Sequence, residues 1–515
     1  MKILLLFLTT ALSTLVQAQQ PGAPIDIQHY TFELTVTDSS NLVKGRATIT
    51  LTGLKDTPRF TLDLKNMNVL QVTSNNQPLF YKHENDLLSI ELPLAANDQK
   101  TITVAYEGIP KNGLIIDSNK FNHRTFFSDN WPNRARFWLP CIDHPADKAS
   151  VEFIVTAPAH YQVISNGVQK EATDLGNNLR RTHYIETVPL PTKIMALGIA
   201  RFAVQHAGDV DCIPVYSWVY PEERDKGFYD YAQAVDILPF FIKNVAPFAY
   251  KKLANVESKT TFGGMENASA IFYSEESITG TRKSESLLVH EIAHQWFGNM
   301  ATEADWSHLW LSEGFATYMT ILFFENKYGI DTARFMLDQN RQKVIEFARK
   351  KLRPVVDSSV TDYMDLLNAN SYQKGGWVLH MLRHRLGDST FWKGIRMYYD
   401  RFAGKNVISS DLQKVLEELS GQDLNQFFHQ WLMVPGHPVL DIQWQYRNKE
   451  IVVTVIQQQQ TPFEFPLEIM IGKEVKTLNI KDKKTTFRFP ANEKPVIQID
   501  PFVNLMFEGK VREIK

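Results

Sequence analysis

The sequence predicts a multidomain α+β protein with an N-terminal β-rich domain, a mainly helical central domain and a small C-terminal β-sandwich. At 515 residues, the chain is longer than a single hydrophobic core usually supports, so two or three domains are expected. Apolar residues alternate with polar ones up to about residue 205, and the spacing then changes to that of helices. Alternation returns after residue 435, which indicates a second β-rich part.

The predicted N-terminal β domain covers residues 19–207. Alternating segments such as 30–36 (YTFELTV) and 47–51 (ATITL) are separated by Asn-Gly and Asn-Asp turn signals. Successive side chains of a strand point to opposite faces of its sheet, so this alternation is typical of strands with one buried face. We therefore expect this domain to be rich in strands.

Residues 1–18, MKILLLFLTTALSTLVQA, precede this domain and predict a cleaved secretory signal. They combine a basic start, an apolar run too short for a membrane span, and a small-x-small ending at Val16-Gln17-Ala18. A retained N-terminal anchor is the alternative, but no basic stop-transfer flank follows. No later stretch reaches about 18 consecutive apolar residues. We expect an exported protein, periplasmic or secreted, without stable membrane insertion.

The predicted central domain covers residues 208–435. Apolar residues recur at helical spacing in the segments 226–245, 284–298, 312–328, 331–350, 372–387, 409–420 and 423–433. Beyond the segment Pro435-Gly436-His437-Pro438, alternation in residues 442–446 and 451–455 predicts a β-sandwich over residues 436–515.

One stretch of the central domain carries a candidate metal centre. On a helix, His290 and His294 are four positions apart, so both imidazoles project from the same face and can bind one ion. Glu313, on the next predicted helix, supplies a third ligand. Three protein ligands leave one position open for water, which is typical of catalytic zinc, so one Zn²⁺ per chain is the expected cofactor. His380 and His384 share this spacing without a third ligand, and we interpret them as structural.

Further motifs lie on both sides of this centre. Gly263-Gly264-Met265-Glu266-Asn267 precedes it, and Tyr372-Gln373-Lys374-Gly375 follows it. Together with the segment 290–294 (HEIAH) and Glu313, these motifs resemble those of the gluzincin aminopeptidases, the family of aminopeptidase N and leukotriene hydrolase. The resemblance covers the chain from near residue 20 to near residue 440. It implies a saddle-like N-terminal β domain and a thermolysin-like catalytic domain.

The resemblance also implies a zinc-dependent aminopeptidase, which hydrolyses the N-terminal residue from peptides. Zinc lowers the pKa of its bound water toward about 7 and polarises the scissile carbonyl. Glu291 would be the general base that takes the proton of that water and returns it to the leaving amine. Tyr372 would stabilise the carbonyl oxygen as it gains negative charge in the transition state.

Glu266 distinguishes an aminopeptidase from other peptidases, because a carboxylate beside the metal can bind the free α-ammonium of the substrate. By the resemblance, Glu266 has this role. Gly263 and Gly264 permit a close backbone approach, so their segment would bind the peptide like an added strand. Met265 and Asn267 complete this predicted substrate-binding segment.

One position departs from the family pattern. Members usually have a second Glu or Gln five residues before the arginine that matches Arg136, where it helps to bind the amine. Here that position is Trp131. Either Asp129 or Asn130 takes over this contact, or Trp131 shapes the first subsite and Glu266 binds the amine with less help. The departure bears on affinity and side-chain preference more than on the reaction.

Three alternative functions fit parts of the same pattern. Many relatives continue with a large helical domain that covers the cleft, whereas this chain ends at Lys515, so we expect that domain to be absent. A leukotriene-hydrolase-like epoxide hydrolase is disfavoured because that domain lines its long apolar pocket. A zinc endopeptidase would leave residues 263–267 without a purpose. A catalytically silent peptide-binding protein would lack a ligand, the base or the tyrosine, and none is missing from the sequence.

The composition restricts the partners. The formal net charge is −2, which provides no electrostatic footprint for nucleic acid, so peptide substrates are the expected partners. Cys141 and Cys212 are the only cysteines, and nothing in the sequence places them together, so we favour two unpaired thiols. The sequence leaves the oligomeric state and the preferred N-terminal residue open.

Overall fold

The computed structural model describes residues 23–514, and the secretory signal predicted for residues 1–18 lies outside this range. Over the described range, each helix is too short or too polar to span a lipid bilayer. Strands come first, a mainly helical part follows, and strands return at the end. This order agrees with the predicted fold class.

The N-terminal part consists almost entirely of strands. They are β1 (Ile25–Thr35), β2 (Val43–Gly53), β3 (Thr57–Asp63), β4 (Asn68–Ser74), β5 (Gln77–Pro78), β6 (Tyr81–Glu84), β7 (Leu87–Leu94), β8 (Gln99–Gly108), β9 (Leu114–Ser118), β10 (Arg124–Ser128), β11 (Ala149–Pro158), β12 (Gln162–Ser165), β13 (Val168–Gly176), β14 (Leu179–Leu190) and β15 (Leu197–Ala200).

The main sheet of this part has eight strands in the order β13-β14-β11-β1-β2-β8-β4-β5. In β1, Tyr30, Phe32 and Leu34 are buried, and the residues between them are at least partly exposed, as the alternating sequence predicts. β11 lies parallel to β1 with Phe153 opposite Phe32, and their rings are 5.4 Å apart. Two smaller sheets have the orders β12-β15-β10-β9 and β3-β7-β6.

The central part begins with a sheet rather than with helices. Its strands are β16 (Ala203–Val210), β17 (Ile213–Val219), β18 (Leu253–Ser258), β19 (Gly264–Met265) and β20 (Ala270–Ser274), in the order β16-β17-β18-β20-β19. Every residue of β18 is buried, which is typical of a strand covered on both faces. β19 forms the edge of the sheet beside β20. Two further short strands, β21 (Thr302–Glu303) and β22 (Asn406–Val407), pair in parallel.

The helices of the central part are α1 (Arg224–Tyr231), α2 (Ala234–Asn244), α3 (Glu285–His294), α4 (Trp310–Tyr328), α5 (Ile330–Lys350), α6 (Gly375–Leu386), α7 (Asp388–Phe402), α8 (Ser409–Ser420) and α9 (Asn425–Phe428). The helix predicted over 226–245 is divided between α1 and α2, and the helix predicted over 423–433 ends in a π-helical turn, His429–Met433. The sequence prediction lacks α7, although its buried residues Phe391, Ile395 and Tyr398 recur at helical spacing.

Helices α3 and α6 both pack against α4 in the central part. α4 is buried continuously from Trp310 to Phe323, so it is surrounded by protein on all sides. Its Gly314 meets Gly375 at the start of α6, where a β-carbon on Gly314 would lie 2.9 Å from the backbone of Gly375. The two helix backbones therefore touch directly, and both positions require glycine.

The C-terminal part consists of β23 (Val439–Arg447), β24 (Glu450–Gln457), β25 (Phe465–Ile471), β26 (Glu474–Ile480), β27 (Lys484–Pro490), β28 (Ile497–Ile499) and β29 (Glu508–Glu513). They form two sheets, β27-β24-β23-β29 and β26-β25-β28. Arg341 of α5 donates to Asp500 Oδ2 at 2.6 Å, and a ring nitrogen of His380 lies 3.0 Å from the Val503 carbonyl oxygen. These contacts join the C-terminal sheets to the helical part.

Candidate zinc centre and peptide cleft

Helices α3 and α4 bring three candidate ligands together. His290 and His294 lie one turn apart on α3, and Glu313 lies in the first turn of α4. The Nε2 atoms of the two histidines are 3.1 Å apart, and each lies 3.3 Å from Oε2 of Glu313. Among the described residues, this is the one group of His, Cys, Asp or Glu ligand atoms that could hold a metal ion, and these atoms lie within 4.8 Å of one another.

The far side of the His294 ring is held by two hydrogen-bond partners. Its Nδ1 lies 3.0 Å from the Phe297 carbonyl oxygen and 3.1 Å from Oγ of Ser312. A carbonyl oxygen can only accept, so Nδ1 carries a proton and donates it to Phe297, which turns Nε2 towards Glu313. Gly298, at φ 108°, has no side chain and so leaves space for Ser312. A β-carbon at this position would lie 2.2 Å from Ser312 Oγ.

The electrostatics of the three side chains fit a divalent cation. Burial lowers the pKa of His294, but the Glu313 carboxylate outweighs burial and raises that pKa to about 10. Burial would raise the pKa of Glu313, but the His294 and His290 imidazoles lower it well below its usual value. An ionised carboxylate and two imidazole nitrogens that converge within a few ångströms are a donor set that zinc prefers.

Glu291 lies between the metal group and the edge strand β19. Its side chain is buried, and burial raises the pKa of Glu291 well above its usual value, as do the carboxylates of Glu266 and Glu313, whereas His294 opposes the shift. The backbone of Gly264 passes directly over this carboxyl group, since a β-carbon there would lie 2.4 Å from Glu291 Oε1. A peptide bound beside Gly264 would therefore come close to Glu291.

Tyr372 reaches the metal group from a different part of the chain. It lies in a π-helical turn, Asn370–Lys374, that leads into α6. Single π-helical turns within helices occur frequently at functional sites. The ring of Tyr372 stacks on the His290 imidazole, with centroids 6.0 Å apart and an interplanar angle of 13°. Burial, followed by the nearby Glu313 carboxylate, raises the pKa of Tyr372.

Glu266 follows the edge strand β19, is buried and lines the cleft. Its carbonyl oxygen accepts from Nε2 of Gln295 at 3.0 Å and from Nδ2 of Asn299 at 2.7 Å. Its side-chain Oε1 is buried and has no hydrogen-bond partner among the described residues. The backbone of Glu266 is thus held in place while its carboxylate stays available to a ligand.

The other residues of this segment differ in position. Met265 pairs with Phe272 across β19 and β20, and the Gly263 carbonyl oxygen accepts from the Ser274 amide at 2.9 Å. Asn267 turns the chain back, because its amide donates to the Met265 carbonyl oxygen at 2.8 Å. Gly263, Gly264 and Met265 line the cleft, whereas Asn267 is buried behind it.

Trp131 lines the cleft, and the two neighbouring polar residues are engaged elsewhere. Asp129 accepts from Arg134 at 2.9 Å and from the Thr261 hydroxyl at 2.6 Å. The amide nitrogen of Asn130 donates to the Met195 carbonyl oxygen at 2.9 Å, and its amide oxygen accepts from a tryptophan indole at 2.9 Å. Neither residue lines the cleft, so the possibility that Asp129 or Asn130 binds the amine has no support in the geometry.

Aromatic neighbours enclose Trp131. The ring of Phe262 lies edge-on at 5.9 Å, and that of Trp306 lies edge-on at 5.5 Å. The indole Nε1 of Trp131 is buried and has no hydrogen-bond partner among the described residues. The cleft of about 250 Å³ is lined by Trp131, Phe262, Gly263, Gly264, Met265, Glu266, Leu287, His290, Glu291, His294, Glu313, Leu367 and Tyr372.

Three residues that support the site were missed by the sequence analysis. Gln295 and Asn299 hold the Glu266 backbone, and Ser312 holds the His294 ring. All three are polar residues that are buried in apolar surroundings. Buried polar residues need hydrogen-bond partners. Polar positions within the apolar stretch that carries the histidines could therefore have indicated these supporting residues.

His380 and the two cysteines lie outside the site, as predicted. The ring nitrogens of His380 contact the Tyr318 hydroxyl at 3.1 Å and the Val503 carbonyl oxygen at 3.0 Å, so it has a packing role. Cys141 is buried, Cys212 is exposed, and both are unpaired.

Comparison with known proteins agrees with this fold. Residues 27–194 match the peptidase M1 N-terminal domain, and residues 229–431 match the peptidase family M1 domain. The group of His290, His294 and Glu313 is consistent with the zinc site of this family. The chain belongs to peptidase family M1, the aminopeptidase N-like zinc metallopeptidases.

Similar proteins include several aminopeptidases. The chain is 27% identical over 412 residues to the tricorn protease-interacting factor F2 of Thermoplasma acidophilum, covering 74% of this chain and 50% of that protein. It is 24% identical over 460 residues to the glutamyl aminopeptidase of Rattus norvegicus, covering 80% of this chain and 48% of that protein. It is 25% identical over 429 residues to the leucyl aminopeptidase of Saccharolobus solfataricus, covering 79% of this chain and 53% of that protein. The chain thus spans about half the length of the curated relatives that it matches.

Proposed function

We propose that this protein is a zinc-dependent aminopeptidase that removes the N-terminal residue from peptides. The observation that carries the proposal is the position of Glu266. Its carboxylate has an unpartnered, buried oxygen and lines the same cleft as the three metal ligands. A buried acceptor of this kind matches the α-ammonium of a substrate, to which it would form a charge-assisted hydrogen bond.

The edge strand β19 would position the peptide. β19 pairs with β20 on one side, and its other side faces the cleft. A substrate in extended conformation would add to this edge through its main chain, as peptides do in β-augmentation. Binding of the ammonium by Glu266, which lines the same cleft as the metal ligands, would place the first peptide bond beside those ligands.

His290, His294 and Glu313 would hold the zinc ion, with one position left for a further ligand. Zinc at this position would make a water molecule more acidic and would polarise the scissile carbonyl. Glu291 would accept the proton of the attacking water and return it to the amine of the leaving peptide. Burial, together with the Glu266 and Glu313 carboxylates, raises the pKa of Glu291, which favours the uptake of a proton by this group.

Tyr372 would donate a hydrogen bond to the carbonyl oxygen as it becomes negatively charged. The stack on His290 supports this role, because it holds the phenol beside a metal ligand. A donor aimed at the developing charge stabilises the transition state more than the bound substrate.

We further propose that Glu266 binds the substrate amine without a second carboxylate. Asp129 is engaged by Arg134 and Thr261, and the position used by relatives carries Trp131. Trp131 and Phe262 would then line the subsite for the first side chain. The aromatic wall favours apolar N-terminal residues over charged ones.

A panel of aminoacyl arylamides tests the proposal, with zinc analysis of the same protein sample. We expect hydrolysis of free-amine substrates, loss of activity with a chelator, and recovery with zinc. The N-acetylated arylamides should be hydrolysed far more slowly. Equal hydrolysis of free and acetylated substrates, or cleavage within a blocked peptide, would instead indicate an endopeptidase. Hydrolysis of an epoxide alone would indicate the leukotriene-hydrolase-like activity.

Export to the periplasm or the medium is also a proposal. The apolar run and the Val16-Gln17-Ala18 ending of the first 18 residues support it. N-terminal sequencing of the protein from its native cells tests it, and we expect the mature chain to begin at Gln19. A chain that still begins at Met1 would contradict the predicted cleavage.

A further inference from the structure

Lys374 is a buried lysine close to the site that has no part in the proposed chemistry. Its Nζ donates to the Gly436 carbonyl oxygen at 2.6 Å, and its side chain is almost completely buried. Within residues 23–514, no carboxylate forms an ion pair with it, and burial lowers the pKa of Lys374 to about 7. An amine without a counter-ion is costly to bury, so its single bond to a backbone carbonyl requires an explanation.

Lys374 and Tyr372 belong to the same π-helical turn but lie on opposite sides of it. Residues two apart in a helix do not face each other. Tyr372 points to His290, whereas Lys374 points to Gly436 at the start of the C-terminal β part. A displacement of Lys374 would therefore displace Tyr372.

The other residues of this turn are held within the catalytic part. Asn370 donates to the Arg353 carbonyl oxygen at 2.9 Å, and Ser371 donates to the Leu366 carbonyl oxygen at 2.7 Å. Gly375, next in the chain, lies against Gly314, which follows the metal ligand Glu313 in sequence. Among the described residues, the bond from Lys374 is the one hydrogen bond that ties this turn to the segment before β23.

The acceptor of this bond is itself well anchored. Gly436 has φ 85°, a conformation that side chains disfavour, and a β-carbon there would lie 3.1 Å from Leu352. Two residues further, the Pro438 carbonyl oxygen accepts from the Glu508 amide at 2.9 Å, which joins the segment to β29. His437, between them, is buried. The Gly436 carbonyl is thus a rigid acceptor.

We propose that Lys374 is a positioning residue, which fixes Tyr372 over the metal ligands by joining its turn to the C-terminal β part through the Gly436 carbonyl. The proposal rests on the role of Tyr372 proposed above. It gives the C-terminal sheets a function in the reaction although they contribute no residue to the lining of the cleft. Lys374 acts only through Tyr372, so its effect must disappear when the phenol hydroxyl is absent.

A double-mutant cycle tests this dependence. Lys374→Met retains the length and apolar stem of the side chain and removes the amine. We expect it to lower the single-turnover rate about 10- to 100-fold, as small displacements of a catalytic group do, with KM and zinc content nearly unchanged. In a Tyr372→Phe background, the same substitution should lower the rate less than about twofold, because the two residues act as one unit.

Lys252→Met is the matched control. Lys252 is also buried, its pKa is also lowered to about 7 by burial, and its Nζ also donates to backbone carbonyl oxygens, those of Ser165 and Gly167. Lys252 lies outside the cleft. The single-turnover rate of Lys252→Met, per folded and zinc-loaded molecule, should therefore stay within about twofold of the wild-type rate.

Gly436→Ala provides a second variant that leaves Lys374 intact. It strains the φ 85° conformation and displaces the acceptor, so it should reproduce part of the rate loss, again only when Tyr372 is present. It also keeps the proposal testable if Lys374→Met does not fold. Scanning calorimetry of each variant separates a loss of rate from a loss of folded protein.

Two results would overturn the proposal in different ways. Equal rate losses from Lys374→Met in both backgrounds, or no loss in either, would leave Lys374 as a packing residue and would not touch the role of Tyr372. An unchanged rate in Tyr372→Phe alone would remove Tyr372 from the mechanism, and the positioning role of Lys374 would fail with it.

Discussion

The phenol ring of Tyr372 lies nearly parallel to the imidazole of His290, with centroids 6.0 Å apart and an interplanar angle of 13°. His290 lies on α3 and Tyr372 in the turn that leads into α6. Both segments pack against α4, whose Gly314 touches Gly375 of α6. A larger residue at either glycine would separate the helices and move the phenol away from the metal ligands. The contact between the two rings thus depends on the packing between the two helices.

Tyr372→Phe should lower kcat by roughly 10²- to 10³-fold, with little change in KM, because the hydrogen bond of the hydroxyl forms mainly in the transition state. Steady-state kinetics on an aminoacyl arylamide measures this effect. The ring and its stack on His290 are kept, so zinc content should not change. If kcat were the same as that of the wild type, Tyr372 would have no catalytic role.

Glu291→Gln should retain zinc and lose about 10²- to 10⁴-fold in kcat, since it removes only the proton acceptor. The glutamine has nearly the same shape, so the neighbouring Gly264 backbone should not move. Elemental analysis measures the zinc content of the variant, and steady-state kinetics measures its kcat. A variant without zinc would mean that Glu291 is a metal ligand, contrary to the proposed assignment.

Removal of a ligand should release the metal. Loss of a supporting hydrogen bond to a metal ligand typically weakens metal binding roughly 10- to 100-fold. His290→Ala and Glu313→Ala remove a ligand itself, so each should weaken zinc binding by more than this. Ser312→Ala removes only such a supporting bond, and its loss should lie within that range. His380→Ala is the control, since His380 contacts Tyr318 and Val503, and it should keep one ion per chain. Stoichiometric zinc in Glu313→Ala would contradict the three-ligand site.

Glu266→Ala should cost about 2–4 kcal/mol in kcat/KM for free-amine substrates, because the substrate ammonium loses its charged partner. N-acetylated substrates lack that charge, so kcat/KM for them should fall far less. Glu266→Gln keeps the shape without the charge and should show most of the same loss. If both substrate classes were affected alike, Glu266 would be a structural carboxylate.

Trp131→Glu would introduce the second carboxylate that relatives usually have. It should lower KM for free-amine substrates by roughly 3- to 10-fold or change the preferred first residue, as a second charge-assisted hydrogen bond to the amine would. Trp131→Phe is the matched control, which keeps an aromatic wall beside Phe262 and Trp306. An identical substrate profile in Trp131→Glu and the wild type would show that position 131 does not face the substrate.

Local sequence patterns predicted the parts of the site that lie on one helix or in one short motif. The four-residue spacing of His290 and His294 places them on one face of a helix whatever surrounds it, because helical geometry is local. The alternation in β1 predicted its buried Tyr30, Phe32 and Leu34 for the same reason. The order of strands, helices and strands along the chain followed from the change in period.

Other features depend on contacts between distant segments. The sequence left open whether Asp129 or Asn130 could bind the substrate amine, and only the folded chain commits their side chains to Arg134, Thr261 and Met195. α7 is a different case, since its buried residues recur at helical spacing and the local pattern could have indicated it.

The sequence by itself determined the candidate residues of the site, which are the three potential metal ligands, the neighbouring glutamate and the tyrosine, and it determined the order of β-rich and helical parts. Those properties depend on residue type and on short-range spacing, which the covalent chain carries. The tertiary structure alone decided the stack of Tyr372 on His290, the free carboxylate of Glu266 and the bond from Lys374 to Gly436. Each of these depends on the packing of segments far apart in the chain, which no local pattern encodes.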